Sequence, residues 1–178
     1  MKILIGITSS IAAYRIPNLV SQLKKQEHEI KCVLSEAAKA FVAPQALAVM
    51  SQNPCYTDAD EWKNTAEVLH IQLAKWCDVC LLAPLSANTL AKISYGLCDN
   101  LLTSIIRALG DTPLLLAPAM NTRMWENGLT KQQLDQVKKF YNATVIDPVE
   151  KKLADGDEGI GGLAEDITLI EAINKLGL

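Results

Sequence analysis

The sequence lacks a basic excess. Its 17 lysines and arginines face 20 aspartates and glutamates, a net charge of -3. A broad nucleic-acid footprint is therefore not expected, and any phosphate has to be held by a local site rather than an overall positive field. Long apolar runs are missing too. No stretch of about 18 apolar residues occurs, so no membrane span is predicted. The opening Met1-Lys2-Ile3-Leu4-Ile5-Gly6 carries too short an apolar run for a signal-peptide core, and no small-residue cleavage pattern follows it. Neither a G-x-G-x-x-G fingerprint nor a P-loop is present, which disfavours a dinucleotide or nucleoside-triphosphate site. Histidine is scarce, with two in the chain.

Cysteine is odd in number. Cys32, Cys55, Cys77, Cys80 and Cys98 make five, which predicts reduced thiols and a cytoplasmic location. Cys77 and Cys80 have C-x-x-C spacing, but no second pair of cysteines or histidines completes a zinc set. The sequence places them on a strand, pointing to opposite faces. Core packing is the expectation for them, and no metal site is predicted.

With 178 residues, 49% hydrophobic and 21% charged, the chain suits a single domain over residues 1–178. No ligase segment is expected after residue 178. Short apolar runs read as strands at Ile3–Ile5, Ile30–Leu34, Cys80–Ala83, Pro113–Ala117 and Ala143–Ile146. Helical patterns lie between them at Ile11–Lys25, Ala37–Phe41, Pro44–Ser51, Ala87–Tyr95, Asn100–Leu109, Lys131–Tyr141 and Asp166–Leu176. Pro17 predicts either a later helix start or a kink. Continuous apolar strands alternating with helices predict a doubly wound parallel sheet, an α/β three-layer sandwich of Rossmann or flavodoxin type. The stretch Pro148–Leu163, rich in glycine, reads as a mobile functional loop.

In such a sheet, ligands gather at the carboxyl ends of the strands. Thr8-Ser9-Ser10-Ile11 follows the first strand. Its hydroxyls at a helix start can hold a phosphate, or Ser9 or Ser10 can simply cap the helix; the two readings weigh equally. Ser35 follows the second strand. Ser86-Ala87-Asn88-Thr89 follows the third and is more polar than a cap requires. After the fourth strand, Pro118-Ala119-Met120-Asn121-Thr122-Arg123-Met124-Trp125 sets one asparagine among methionines and a tryptophan. Met120 and Met124 suit a flat ring, and Asn121 can clamp an amide or carboxylate; a core-capping loop with Trp125 buried is the plainer account. His28 reads as a solvated turn residue. His70, among apolar neighbours, reads first as structural; at a ligand edge it is the imidazole left to serve as a base.

Taken in order, these segments resemble the homo-oligomeric flavin-containing cysteine decarboxylase family. The resemblance rests on Gly6 to Tyr14, on Leu69-His70-Ile71 with Trp76-Cys77-Asp78, and on Pro84-Leu85-Ser86-Ala87-Asn88-Thr89. It also rests on Gly96 to Leu102, and on a full P-x-M-N-x-x-M-W over Pro118–Trp125. It implies FMN bound by Ser9, Ser10, Ile11, Ser35, Ser86, Ala87, Asn88, Thr89 and Met120. It implies His70 as an acid/base residue, Asn121 holding the substrate carboxylate or amide, and Met124 and Gly159 near the substrate. It further implies a trimer, or a dodecamer of trimers, with FMN between subunits. The family's reaction passes a hydride from the cysteine side chain to the flavin, and the resulting thioaldehyde drains the electrons left by departing CO2. The decarboxylase of coenzyme A synthesis then returns the hydride to give a saturated thiol.

One position departs from the pattern. Phosphopantothenoylcysteine decarboxylases usually read L-A-C-G-D-x-G-x-G in the late loop, and the cysteine donates a proton in the reductive half. Here the segment reads Leu153-Ala154-Asp155-Gly156-Asp157-Glu158-Gly159-Ile160-Gly161. A carboxyl raised by burial can donate a proton, though not as a thiol does. The resemblance first implies conversion of 4'-phospho-N-pantothenoylcysteine to 4'-phosphopantetheine. Behind it stand an oxidative decarboxylase of C-terminal cysteine in peptides, a flavin prenyltransferase and a non-enzymatic regulatory flavoprotein. The late loop argues against the peptide enzymes, which lack it.

Overall fold

The computed structural model describes residues 1–64, 66–152, 156 and 158–177. Strands β1 (Lys2–Ile7), β2 (Glu29–Leu34), β3 (Cys55–Tyr56), β4 (Val79–Leu85), β5 (Leu114–Pro118) and β6 (Ala143–Val145) make a six-stranded sheet in the order β3-β2-β1-β4-β5-β6. Every pairing in it is parallel. The predicted fold class is the observed one. The order reverses direction between β1 and β4, which opens a crevice at their carboxyl ends.

Strand alternation sorts the core onto two faces. Ile3, Ile5 and Ile7 of β1, Val79, Leu81 and Ala83 of β4, and Leu115 and Ala117 of β5 pack on one face. Helices α1 (Ile16–Lys25), α2 (Pro44–Ser51) and α8 (Asp166–Asn174) cover it through Leu19, Leu23, Leu47, Leu169 and Ile173. Leu4, Cys80, Leu82, Leu114 and Leu116 pack on the other face. Helices α3 (Leu69–Trp76), α4 (Ala87–Ser94), α5 (Leu101–Arg107) and α7 (Gly128–Phe140) close that side with Leu73, Leu90, Ile105 and Val137. A short α6 (Thr122–Trp125) lies between β5 and α7.

Several sequence expectations need correction. The predicted helix Ile11–Lys25 is a 3-10 turn, Ile11–Arg15, followed by α1, with Pro17 in the first turn of α1, where its missing N–H costs nothing. Strand β3 went unpredicted because two residues show no periodicity. Helix α3 went unpredicted because it is short and Val68 offers no side-chain cap. Cys77 is the residue that ends α3, not a strand residue, so it and Cys80 pack into one core cluster rather than onto opposite faces. His28 is half-buried with Nδ1 3.5 Å from the Met1 amino group, not solvated. Pro148–Leu163 is not a plain loop. It holds an antiparallel hairpin of β7 (Val149–Lys152) and β8 (Glu158–Gly162), whose glycines hid its strand character.

Candidate active site

Three strand ends build one cavity. After β1, Ser10 caps the 3-10 turn, its hydroxyl accepting the Ala12 N–H at 3.4 Å. After β4, Ser86 caps α4, accepting the Thr89 N–H at 3.3 Å. Thr8 ties the two loops together: its hydroxyl donates to the Pro84 carbonyl and accepts the Ser86 N–H, both at 2.7 Å. After β5, Asn121 caps α6 by accepting the Arg123 N–H at 2.8 Å. The starts of the 3-10 turn, α4 and α6 thus border one volume.

That volume is a half-open cavity of about 720 Å³, within the ~300–1,000 Å³ typical of small-molecule sites. Its wall brings together Ser9, Ser10, Ile11, Ser86, Ala87 and Asn88 with Met120, Asn121 and Met124. Trp125 is half-buried against the core beneath. Ser35 sits at the same sheet edge, its N–H donating to the Ile7 carbonyl at 3.0 Å, but not in that wall. Thr89 is buried behind it as the partner of Ser86. Asp155 lies outside the described residues.

The hairpin forms the roof. The Met120 N–H donates to the Gly161 carbonyl at 3.0 Å. A Cβ on Gly161 would fall 2.1 Å from the Met120 carbonyl oxygen, and one on Gly159 would fall 2.5 Å from Thr122 Oγ1. Only glycine permits this approach. Gly159 therefore seats the hairpin on α6. Thr122 Oγ1 beneath it is buried without a partner among the described residues.

Sequence reasoning missed the cavity's charged and aromatic rim. Arg15, Lys151 and Lys152 line it with Tyr14 and Phe41. Arg15 is anchored by Asp166 at 2.8 Å and Glu165 at 3.1 Å, and Lys151 by Glu165 at 2.7 Å. The hydrogen bond from Lys151, aided by the charges of Arg15 and Lys151, holds the Glu165 carboxyl below its usual range despite slight desolvation. The lysine pair was legible in the sequence, but its placement needed the hairpin. Glu165 and Asp166 offset two of these three cations, which leaves a small local excess of positive charge at the mouth.

His70 stands apart from this wall, in the first turn of α3. Its Nδ1 is hydrogen-bonded to Glu61 Oε1, a residue that sequence reasoning also missed. The acidic run Asp58-Ala59-Asp60-Glu61, nine residues upstream of His70, was its one signal. Four of the five cysteines are held as unreactive thiols, and the fifth, Cys98, is exposed and outside the cavity wall. Burial pushes the Cys32 and Cys80 thiols well up, Cys77 to about 11 and Cys55 to about 12. Among the described residues no cluster of ligands suits a metal ion.

Known proteins resemble this chain over nearly its whole length. Residues 1–177 match the model of the family described as Flavoprotein. The chain is 46% identical over 181 residues to the phosphopantothenoylcysteine decarboxylase of Mus musculus, covering 98% of this chain and 86% of that one. Its fold matches a cysteine-to-serine mutant of PPC decarboxylase complexed with pantothenoylaminoethenethiol, with a TM-score of 0.91 and 40% identity over 99% of this chain and 97% of that one. It also matches the FMN binding protein AtHal3, with a TM-score of 0.86 and 40% identity over 98% and 95%. With these matches and its own motifs, the chain belongs to the Flavoprotein family, in the group of flavin-containing cysteine decarboxylases.

Proposed function

We propose that this protein is an FMN-dependent carboxy-lyase that converts 4'-phospho-N-pantothenoylcysteine to 4'-phosphopantetheine, a step of coenzyme A biosynthesis. The observation that carries the reading is the cavity itself. It places the hydroxyl-rich starts of the 3-10 turn and α4 opposite Asn121, under a roof that only glycine permits. The similarity to the mouse decarboxylase and to the PPC decarboxylase complex supports the same substrate.

The residues present fit a flavin mononucleotide. Ser9, Ser10 and Ile11 would take its phosphate at the first-turn N–H groups, and Ser86, Ala87, Asn88 and Met120 would hold the ring. Ser35 and Thr89 would support these contacts from the strand end and the helix start. The bound flavin supplies a hydride acceptor and, later, a hydride donor. The chain supplies the rest. Asn121, fixed by its capping bond, presents an amide to the substrate carboxylate, with Met124 beside it. The hairpin excludes water from the reacting carbons. Lys151 and Lys152 present positive charge at the mouth, which complements a phosphorylated substrate.

His70 is assigned proton transfer. It does not line its own chain's cavity, and Ile11 and Tyr14 leave apolar surface exposed at the rim. Both facts favour a homo-oligomer, a trimer or a dodecamer of trimers, in which His70 reaches a neighbour's cavity. Asp155 is assigned the proton donation of the reductive half. A soluble, cytoplasmic enzyme is inferred, and among the described residues no helix is long and apolar enough to cross a membrane.

The test is direct. The purified protein is expected to be yellow and to release FMN on denaturation. It should liberate CO2 from phosphopantothenoylcysteine anaerobically, and His70→Asn should abolish that release while keeping the flavin. A protein that takes up no flavin overturns the reading.

A further inference from the structure

Glu61 takes no part in the cavity wall. Among the described residues it is the one acidic or basic residue in the buried set. Removing a carboxylate from water costs several kcal/mol unless the charge is compensated. Here the compensation is His70: Glu61 Oε1 meets its Nδ1, while the second oxygen, Oε2, is buried without a partner among the described residues. A structural bond to an imidazole needs only one neutral acceptor. A half-satisfied buried carboxylate is a costlier device, and it is the one that stabilises an imidazolium.

Both partners come from fixed elements. Thr57 and Asp60 close a capping box, with Asp60 accepting the Thr57 N–H at 2.7 Å and the Thr57 hydroxyl at 2.9 Å. Asp58 accepts the Leu101 N–H at 2.9 Å and pins the same turn to the start of α5. Glu61 is the next residue, ending that turn. His70 rides on α3, which Leu73 and Ala74 anchor in the core. The three carboxylates of the run thus do different things. Asp58 caps α5, Asp60 caps its own turn, and Glu61 takes the imidazole. The Glu61 side chain is 10% exposed and that of His70 is 23% exposed. The described residues make no hydrogen bond to His70 Nε2.

We propose that Glu61 is the positioning residue of His70: its carboxylate holds the proton on Nδ1, so that Nε2 is the nitrogen that exchanges a proton with a bound substrate. This rests on the reading of His70 as the proton-transfer residue. A neutral imidazole in water favours the other tautomer, with the proton on Nε2, so an acceptor at Nδ1 selects the basic nitrogen. It also stabilises the cation formed when Nε2 takes a proton, the logic of an oriented base.

The test uses the flavin-loaded protein labelled with 15N-histidine. Two imidazoles are present, and His28→Gln assigns them. In the wild type, His70 Nδ1 is expected to carry a proton at alkaline pH. Glu61→Ala should move that proton to Nε2, whereas Glu61→Gln, whose amide oxygen still accepts, should keep it on Nδ1. In turnover, kcat should fall by ~10–100-fold in Glu61→Ala, the range for losing a partner that orients a metal-bound imidazole. KM and flavin occupancy should hold, and Glu61→Gln should recover part of the loss. An unprotonated Nδ1 in the wild type overturns the proposal, as does wild-type kcat in Glu61→Ala. The wild-type and Glu61→Gln spectra decide the matter if Glu61→Ala does not fold. Full activity in His70→Asn would instead overturn the parent reading, leaving the tautomer measurement to stand alone.

Discussion

The Gly161 carbonyl accepts the Met120 N–H at 3.0 Å, and a Cβ on Gly161 would lie 2.1 Å from the Met120 carbonyl oxygen. The roof of the cavity thus touches the segment that carries Asn121, backbone to backbone. Gly161→Ala must push the two apart. We expect flavin to stay bound and kcat/KM to fall on the order of 100-fold, the cost of about 1 Å of misplacement. Gly162→Ala is the comparison, because its added Cβ would meet Lys151 and the Val149 carbonyl oxygen no nearer than 3.1 Å, against 2.1 Å for Gly161. Steady-state kinetics on the two variants should show a much smaller loss for Gly162→Ala.

Asn121 both caps α6 and faces the cavity. Aspartate caps as well as asparagine, so Asn121→Asp should melt within roughly 0.5 kcal/mol of the wild type. Its added negative charge would face a substrate carboxylate, and CO2 release should fall by ~100-fold or more. Calorimetry and a CO2 assay on one sample separate the two effects.

Asp60 gives the fold an acid limb. Partial burial pushes its carboxyl up, but hydrogen bonds from Lys63 and Thr57 outweigh this, and the net shift is downward. A depressed carboxyl adds stability above its unfolded value, and that stability is lost as pH falls through the folded one. The wild-type Tm should therefore drop as pH falls below about 4. Asp60→Asn should start lower at neutral pH and show a shallower drop.

Thiol chemistry should single out Cys98. It is exposed, whereas Cys32, Cys77 and Cys80 are buried and Cys55 is partly so, and burial raises those four thiols. At neutral pH a maleimide should add once to the folded protein, by intact mass, and not at all to Cys98→Ser. Reaction of Cys77 or Cys80 in the folded state would reopen the C-x-x-C spacing as a functional pair.

Much of this was legible in the sequence because the sheet strands are apolar on both faces and end in marked segments. The runs at Ile3–Ile5, Cys80–Ala83 and Pro113–Ala117 announced strands of the sheet, and Ser9, Ser86 and Asn121 fell in turn at their carboxyl ends. What escaped depended on tertiary approach. Glycines at 159 and 161 read as loop, yet they let β8 lie on Met120 and Thr122. Helix α3 lacks a side-chain cap, so its start was hidden, and with it the turn that sets His70 against Glu61. Arg15 and Lys151 share Glu165, a residue distant from Arg15 along the chain, so their meeting at one rim depends on the tertiary fold.

The mass of the product tests the central claim most directly. With phosphopantothenoylcysteine and no external oxidant, the account predicts a product lighter by one CO2, the saturated thiol. A product two hydrogens short of that thiol would show that Asp155 does not complete the reductive half and would favour an oxidative decarboxylase; Asp155→Cys should then restore the saturated thiol. Substrate recovered unchanged by the flavin-loaded protein would contradict the account.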